Sequence, residues 1–387
     1  MKTPILQRAT SERQDWASPP RTDRTRLNRP LTPLAWLAAL ALFLASMTAR
    51  GEDVAWLREV RATPGAAEPW RPLSPLLSAE ASDRKAAWEK RRPELRAAWL
   101  DFLGEMPAPP ADLAVKSLKR ETLDWGTREL VEYEGEPGLR VQAYILKPAS
   151  AKPRGTPGIV ALHPTTNLSI DAIAGVQGEP RQHTGVRLAE SGFLVVCPRC
   201  FLWQNAKDLN DAVARHMERH PAATGMAKML FDARRGVDLL LAQPEVDPKR
   251  VGTFGHSLGA KEVLYLMAFD DRVLAGVASE GGVALDSTNW EAPWYLGPRA
   301  KDASWERNHH ELLALIAPRP LLIIGGEKGP GAADGTRSIP YLAAAEPIYA
   351  LSGEPIRLGL LNHGQGHPLT PEAFAKGIEW LKTYTEK

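Results

Sequence analysis

The sequence feature that most constrains the fold is a Gly-His-Ser-Leu-Gly pentapeptide at residues 255–259, between a strand-like run and a helix-like run. The apolar residues 251–254 precede it, and the helix-forming residues 260–267 follow it. A serine on a sharp strand-to-helix turn leaves no room for a β-carbon two residues before or after it, so both positions require glycine. The pattern predicts a turn that lifts the Ser257 hydroxyl above a sheet edge and aims the Leu258 N–H toward the same point.

Around this turn, strand-like and helix-like segments alternate along the chain. Two alternating segments at 117–133 and 139–146, joined by a turn rich in Gly and Pro, predict an antiparallel hairpin. Later strand-like runs lie at 158–162, 192–197, 251–254, 273–278, 321–325 and 356–361. The order predicts an α/β domain with a doubly wound, mostly parallel sheet that begins with the hairpin.

Two further regions precede the hairpin. Residues 51–116 indicate a linker followed by a helix at about 79–103, which Pro93 is expected to kink or split. Residues 1–50 form a basic leader. A chain of 387 residues that is 44% apolar can bury a full core, so we expect one large domain at 117–387 plus these N-terminal additions.

The leader has the pattern of an export signal. It carries eight Lys or Arg and three acidic residues, which is a net charge of +5. Because the whole chain has a formal net charge of +2, the remaining residues have a net charge of −3. Its uncharged apolar run at 34–45 has the length of a signal-peptide core and is short for a membrane span, and small residues at 46–49 offer a cleavage region. We expect export to the periplasm or the medium, no stable membrane span beyond this segment, and no nucleic-acid partner.

From about residue 118 to the C-terminus, the chain resembles the α/β-hydrolase superfamily. The strand, turn and helix around Ser257 carry the resemblance, with a Leu-His-Pro-Thr-Thr loop at 162–166 and a Ser-Glu-Gly-Gly loop at 279–282. These loops are most similar to those of bacterial acetyl xylan and glucuronoyl esterases and of dienelactone hydrolases. The resemblance implies that Ser257 is a nucleophile, followed along the chain by an acid and then by a histidine.

The resemblance also implies where the partners of Ser257 lie. The loop after the last strand contains His363 and His367, and we take His367 as the base because it lies just before the closing helix, with His363 as the alternative. Asp334, after the preceding strand, is the first choice of acid. Glu280 is the alternative, because glucuronoyl esterases can take their acid from that earlier strand end. Either carboxylate would orient the imidazole and stabilise its protonated form.

Two backbone N–H groups are candidates for stabilising an oxyanion. Leu258 supplies one, and the loop at 162–166 supplies the other. Pro164 has no N–H, so Thr165 is the better donor in that loop. For His163 the sequence leaves a direct role and a loop-packing role equally open.

An aromatic loop at 289–298 follows, where many hydrolases carry a lid. Trp290 and Trp294 are candidates for stacking on a sugar ring or closing an acyl pocket, and the alternative is that they only anchor the loop. Lys261 matches the lysine that contacts the sugar in glucuronoyl esterases. Leu258, however, replaces their arginine, so the match is partial.

The remaining reactive side chains do not form a cofactor site in the sequence. Cys197 and Cys200 either pair in an oxidising compartment or pack as thiols, and they have no histidine cluster beside them. His309 and His310 are adjacent on a predicted helix, where side chains point about 100° apart, so we assign them cap or helix-start roles. No phosphate-binding glycine motif follows a strand. We expect neither a metal nor another cofactor.

The sequence predicts an exported serine hydrolase that cleaves carboxylic esters, carbohydrate-linked ones such as acetyl or glucuronoyl esters, through an acyl-enzyme. Its partner would be a small-molecule or polysaccharide ester. The alternatives are a dienelactone hydrolase-like enzyme, a prolyl-oligopeptidase-type peptidase and a non-catalytic binding protein. The peptidase normally carries a large propeller, for which the residues before 118 are too few. The oligomeric state stays open.

Overall fold

The computed structural model describes residues 53–61, 68–69, 71–302, 305–353 and 355–385. The basic leader, its apolar run and the cleavage region lie outside these residues, so the predicted export signal stays a prediction. Every helix in the described ranges is too short or too polar to cross a bilayer.

One mixed sheet organises the described part of the chain. Its nine strands are β1 (Lys116–Leu123), β2 (Gly126–Glu136), β3 (Leu139–Pro148), β4 (Thr156–Leu162), β5 (Leu194–Pro198), β6 (Val246–His256), β7 (Ala275–Ser279), β8 (Leu321–Gly325) and β9 (Leu358–Asn362). They lie in the order β1-β2-β3-β5-β4-β6-β7-β8-β9. Pairing is antiparallel from β1 through β3 to β5 and parallel from β5 to β9, which confirms the predicted doubly wound, mostly parallel sheet with an antiparallel start.

Helices occupy the connections from β4 to β9, and others precede β1 or follow β9. The α-helices are α1 (Leu57–Val60), α2 (Arg84–Leu103), α3 (Ile170–Ile173), α4 (Thr184–Glu190), α5 (Leu209–Arg219), α6 (Gly225–Leu241), α7 (Leu258–Phe269), α8 (His310–Ile316), α9 (Ile339–Tyr349) and α10 (Pro371–Thr385). Short 3₁₀ turns lie at Pro180–Gln182, Phe201–Trp203, Pro298–Lys301, Gly335–Ser338 and Ala350–Ser352. A helix that connects two parallel strands packs on one face of the sheet.

Burial follows this layering. Every residue of β4, β5, β7 and β8 is buried, because helices cover both faces of the parallel strands. One core cluster includes side chains of α2 and α6 to α9, and a second includes side chains of α1, α4 and α10. The edge strand β1 is instead largely exposed and charged, which discourages pairing with another chain.

The helix of the N-terminal extension packs against the large domain. It begins after Asp83, whose carboxylate accepts the Ala86 N–H at 3.0 Å. Pro93 lies inside a single helix, so of the two expected effects, a kink or a split, the split is wrong and the kink stays a prediction. Near its C-terminus the buried Trp99 indole N–H donates to Glu311 at 2.7 Å. This contact joins α2 to α8.

The two cysteines are free thiols in separate cores. Cys197 belongs to the cluster that includes α4 and α10, and Cys200 belongs to the cluster that includes α6 and α7. The sequence allowed either a disulfide or packed thiols, and in the structure both cysteines are packed as free thiols. Burial raises the pKa of both, so they are unreactive near neutral pH.

Candidate active site

Ser257 lies on a strained turn between β6 and α7. Its backbone is in the left-handed region, at φ 57°, and its N–H donates to the Ser279 carbonyl at 2.7 Å. A β-carbon on Gly255 would lie 2.2 Å from the Gly259 carbonyl oxygen, and one on Gly259 would lie 2.1 Å from the Leu162 carbonyl oxygen. Both flanking glycines are therefore sterically required, as the sequence pattern predicts.

Glu280 follows β7 directly and is only 1% exposed. Its carboxylate accepts hydrogen bonds from the N–H groups of Gly326, of Ala333 at 2.7 Å and of Asp334 at 3.4 Å. Burial raises the pKa of Glu280 to about 7, the nearby Asp334 charge acts in the same direction, and the N–H donors oppose it.

Two histidines from the loop after β9 flank this carboxylate. His363 Nε2 lies 3.7 Å from Glu280 Oε1, and His367 Nδ1 lies 4.0 Å from Oε2. Within the described residues neither nitrogen has a hydrogen-bond partner. Burial lowers the pKa of both histidines, which favours the neutral form that a general base needs.

The two histidines differ in what else they contact. His367 lines the same cavity as Ser257, and its ring centroid lies 4.9 Å from that of His256. His256 is in turn fixed by a 3.1 Å contact between its Nδ1 and Ser279 Oγ. His363 is more buried, with 8% of its side chain exposed against 31% for His367.

Asp334 lies beside Glu280 but has other partners. It accepts the Gly282 N–H at 2.9 Å, the Val283 N–H at 2.8 Å and the Ser338 hydroxyl at 2.7 Å. It therefore braces the loop after β7. Its charge still raises the pKa of His367 across space, but the carboxylate beside the His367 ring belongs to Glu280.

Two cavities meet at Ser257. One, of about 350 Å³, is bordered by Leu258, Glu280 and the aromatic loop, and the other, of about 240 Å³, is bordered by Pro164, Arg181 and Leu369. Both also contain Thr165, Ser257 and His367. Of the two expected oxyanion donors, Thr165 borders both cavities and Leu258 borders the larger one. Leu258 is the first residue of α7, where N–H groups have no partner within the helix.

Lys261 contributes a buried amino group to the larger cavity. Its ammonium donates to Thr288 Oγ1 at 3.0 Å and lies 3.7 Å from the ring centroid of Trp290 and 4.9 Å from that of Tyr295. Burial lowers the pKa of Lys261 well below its ordinary value. The aromatic faces of Trp290 and Tyr295 oppose this effect, because they favour the protonated form of the amino group.

The aromatic loop has two kinds of tryptophan. Trp294 lines the larger cavity, whereas Trp290 is 1% exposed and donates its indole N–H to the Gly282 carbonyl at 2.8 Å. Trp290 therefore lies behind the cavity wall and supports Lys261. Thr288 and Tyr295 also border the larger cavity and were not predicted from the sequence, although both lie in or beside the aromatic loop. Arg181 borders the smaller cavity, and no sequence pattern gave a signal for it.

His309 and His310 take structural roles at the start of α8. His309 Nδ1 lies 2.9 Å from the Val283 carbonyl, and His310 Nε2 lies 2.9 Å from the Ser74 carbonyl. They point to different partners, as expected for neighbours on a helix. In the described residues no group of three His, Cys, Asp or Glu side chains is arranged to hold a metal ion.

Comparisons with known proteins agree with this architecture. Residues 141–314 match the model of the dienelactone hydrolase family. A glucuronoyl esterase from Solibacter usitatus superposes with a TM-score of 0.66 at 20% identity, covering 82% of this chain and 99% of that chain. A glucuronoyl esterase from Teredinibacter turnerae gives 0.61 at 20% identity over 88% and 98%.

Other comparisons mark the limits of the similarity. An acetyl xylan esterase from Paenibacillus gives a TM-score of 0.50 at 14% identity, over 86% of this chain and 100% of that chain. No curated protein matches the sequence. The chain thus has the α/β-hydrolase fold that its sequence resembles, and its central residues 141–314 are similar to the dienelactone hydrolase family.

Proposed function

We propose that this protein is a serine esterase that cleaves carboxylic esters through an acyl-enzyme. The observation that carries the proposal is the convergence of Ser257, His367 and Glu280 on one cavity. Each element follows a different strand, and backbone hydrogen bonds hold Ser257 and Glu280 in place.

The arrangement supports a two-step reaction. The Ser257 hydroxyl attacks the ester carbonyl and transfers its proton to His367 Nε2, while Glu280 orients the ring from its Nδ1 side and stabilises the imidazolium. The N–H groups of Leu258 and Thr165 stabilise the oxyanion. The C–O bond then breaks, and the alcohol leaves with the proton from His367. Water, deprotonated by His367, attacks the acyl-enzyme and releases the acid and free Ser257.

We assign the acid role to Glu280 rather than to Asp334. Both carboxylates are buried, but only Glu280 has an oxygen within 4.0 Å of His367 Nδ1. The oxygens of Asp334 are occupied by two loop N–H groups and a hydroxyl. In this proposal Asp334 holds the loop on which Glu280 lies.

The substrate class that fits best is a carbohydrate-linked ester. The larger cavity offers an amino group, a hydroxyl and aromatic faces from Lys261, Thr288, Trp294 and Tyr295, which suit a hydroxylated sugar group or, with Lys261 protonated, an anionic one. The structural neighbours named above are glucuronoyl and acetyl xylan esterases. Two cavities that meet at Ser257 suit the acyl and alcohol halves of an ester. The leader at 1–50 supports export.

A panel of esters tests the proposal. Purified protein should hydrolyse short p-nitrophenyl esters and at least one of acetylated xylan and methyl glucuronate esters, and a fluorophosphonate should label Ser257. The matched control is Ser257→Ala, which should lose labelling and lower kcat by about 10⁵-fold or more. Folded protein that neither hydrolyses any of these esters nor forms the adduct would favour the binding-protein alternative.

A further inference from the structure

The loop after β4 contains a buried histidine that the mechanism above does not use. His163 is 1% exposed, and burial lowers its pKa to about 4, so the ring is neutral near neutral pH. A neutral imidazole has one donor nitrogen and one acceptor nitrogen. The role of His163 therefore depends on which nitrogen carries the proton.

Its neighbours determine the tautomer. The backbone N–H of Cys200 lies 3.1 Å from His163 Nε2, and because a backbone N–H can only donate, Nε2 must be the acceptor. The Ser169 hydroxyl lies 3.2 Å from the same nitrogen and can donate to it as well. The proton is then on Nδ1, which donates to the Pro164 carbonyl oxygen at 2.9 Å.

That carbonyl belongs to the same peptide group as the Thr165 N–H. A trans peptide is planar, and its C=O and N–H point in opposite directions. Fixing the Pro164 carbonyl toward the buried ring therefore turns the Thr165 N–H the other way, and Thr165 borders both cavities that contain Ser257. Among the described residues, none accepts a hydrogen bond from this N–H.

We propose that His163 is a positioning residue that keeps the Thr165 N–H aimed at the oxyanion by holding the Pro164–Thr165 peptide with its Nδ1–H. This inference rests on the proposed esterase function. Oxyanion donors are effective when they are oriented before the reaction begins. Thr165 is exposed, so a hydrogen bond from the buried side is needed to hold the Pro164–Thr165 peptide in one orientation. Without it, rotation of the peptide would present a carbonyl oxygen to the developing negative charge.

The two nitrogens can be separated by a matched pair of variants. In His163→Asn the amide nitrogen can take the place of Nδ1 and donate to Pro164, whereas in His163→Gln the amide oxygen can take the place of Nε2 and accept from Cys200. Both variants lose the same ring, so their stability costs should be similar. We expect His163→Asn to keep kcat within about tenfold of wild type and His163→Gln to lose about 10²-fold or more, with KM nearly unchanged in both. Affinity for a boronic acid transition-state analogue should fall in parallel with kcat.

Equal kcat values for the two folded variants, whether both high or both low, would overturn the inference. If neither variant folds, ¹⁵N NMR of the wild-type histidines decides it, because a proton on His163 Nε2 rather than on Nδ1 would exclude the donation to Pro164. Ser169→Ala is the control, since it removes a contact to Nε2 only and should leave kcat within about twofold. Wild-type protein without esterase activity would contradict the proposed function instead, and the NMR result would still stand.

Discussion

The loops after β7 and β8 each carry one buried carboxylate, and the two carboxylates do different work. Glu280, in the first loop, is held by N–H groups of the second loop, including those of Gly326 and Ala333. Asp334, in the second loop, is held by the Gly282 and Val283 N–H groups of the first loop. Each carboxylate is thus fixed by the backbone of the other loop.

These reciprocal hydrogen bonds show that burial and hydrogen bonding alone do not identify the carboxylate that acts on the catalytic histidine. Both side chains are 1% exposed, and both accept several N–H groups. The two carboxylates differ in the groups that they face. The oxygens of Glu280 lie 3.7 Å from His363 and 4.0 Å from His367, whereas Asp334 accepts its third hydrogen bond from the Ser338 hydroxyl. We infer that Glu280 acts on the base and that Asp334 maintains the loop geometry that lets it do so.

The largest expected effect separates the two histidines that Glu280 contacts. His367→Gln should lower kcat by about 10⁵-fold or more, because it removes the imidazole that borders both cavities containing Ser257 and lies beside Glu280. His363→Gln should change kcat by less than about tenfold. Steady-state kinetics on an ester that the wild type hydrolyses measures both, with circular dichroism to verify folding. A greater loss in His363→Gln would transfer the role of base to His363.

The next effect separates the two carboxylates. Glu280→Gln should lower kcat by about 10⁴-fold, since an amide no longer stabilises the imidazolium. Asp334→Asn keeps the size of the side chain but places an NH₂ among N–H donors, so we expect a loss of about 1–3 kcal/mol in the free energy of unfolding and a smaller loss of kcat, about tenfold. Kinetics and urea denaturation of both variants test this. Equal losses of kcat would mean that the acid role is shared.

The smallest effect is a shift in pH dependence. Activity needs Glu280 ionised and His367 neutral, so kcat/KM of the wild type should fall as the pH drops below about 7, the pKa to which Glu280 is raised. The Asp334 charge raises the pKa of both Glu280 and His367, so Asp334→Asn should lower both pKa values and move the acid limb to lower pH. Profiles from pH 5 to 9 measure the midpoints. A midpoint of the acid limb at higher pH in Asp334→Asn than in the wild type would contradict this electrostatic coupling.

Much of the fold follows from patterns that act over short distances. Alternating runs predicted the parallel strands, and the glycines around Ser257 predicted the strained turn, because steric limits on a tight turn depend only on nearby residues. Pro93 shows the limit of such patterns, since α2 continues through it. There, packing of Trp99 and its neighbours against the large domain outweighs the local preference for a break.

The site was predictable in part. The segments on which the sequence placed Ser257, Thr165, Lys261 and His367 do converge on one cavity. The sequence made Asp334 the first choice of acid and Glu280 the alternative, whereas the carboxylate beside His367 is that of Glu280. Both residues follow apolar strands, and from the sequence either loop could have reached the histidine. The sequence also could not separate Trp294 from Trp290, whose indole is buried behind Lys261.

The sequence by itself determined the class of fold and the position of the serine turn, since both depend on side-chain periodicity and on steric limits within a few residues. Only the tertiary structure decided which carboxylate lies beside the histidines and which tautomer His163 adopts. These features depend on contacts between loops that are far apart in the chain, such as the 3.1 Å contact from Cys200 to His163. Their physical reason is the order of strands in the sheet, which brings the ends of β7, β8 and β9 side by side and places β5 next to β4.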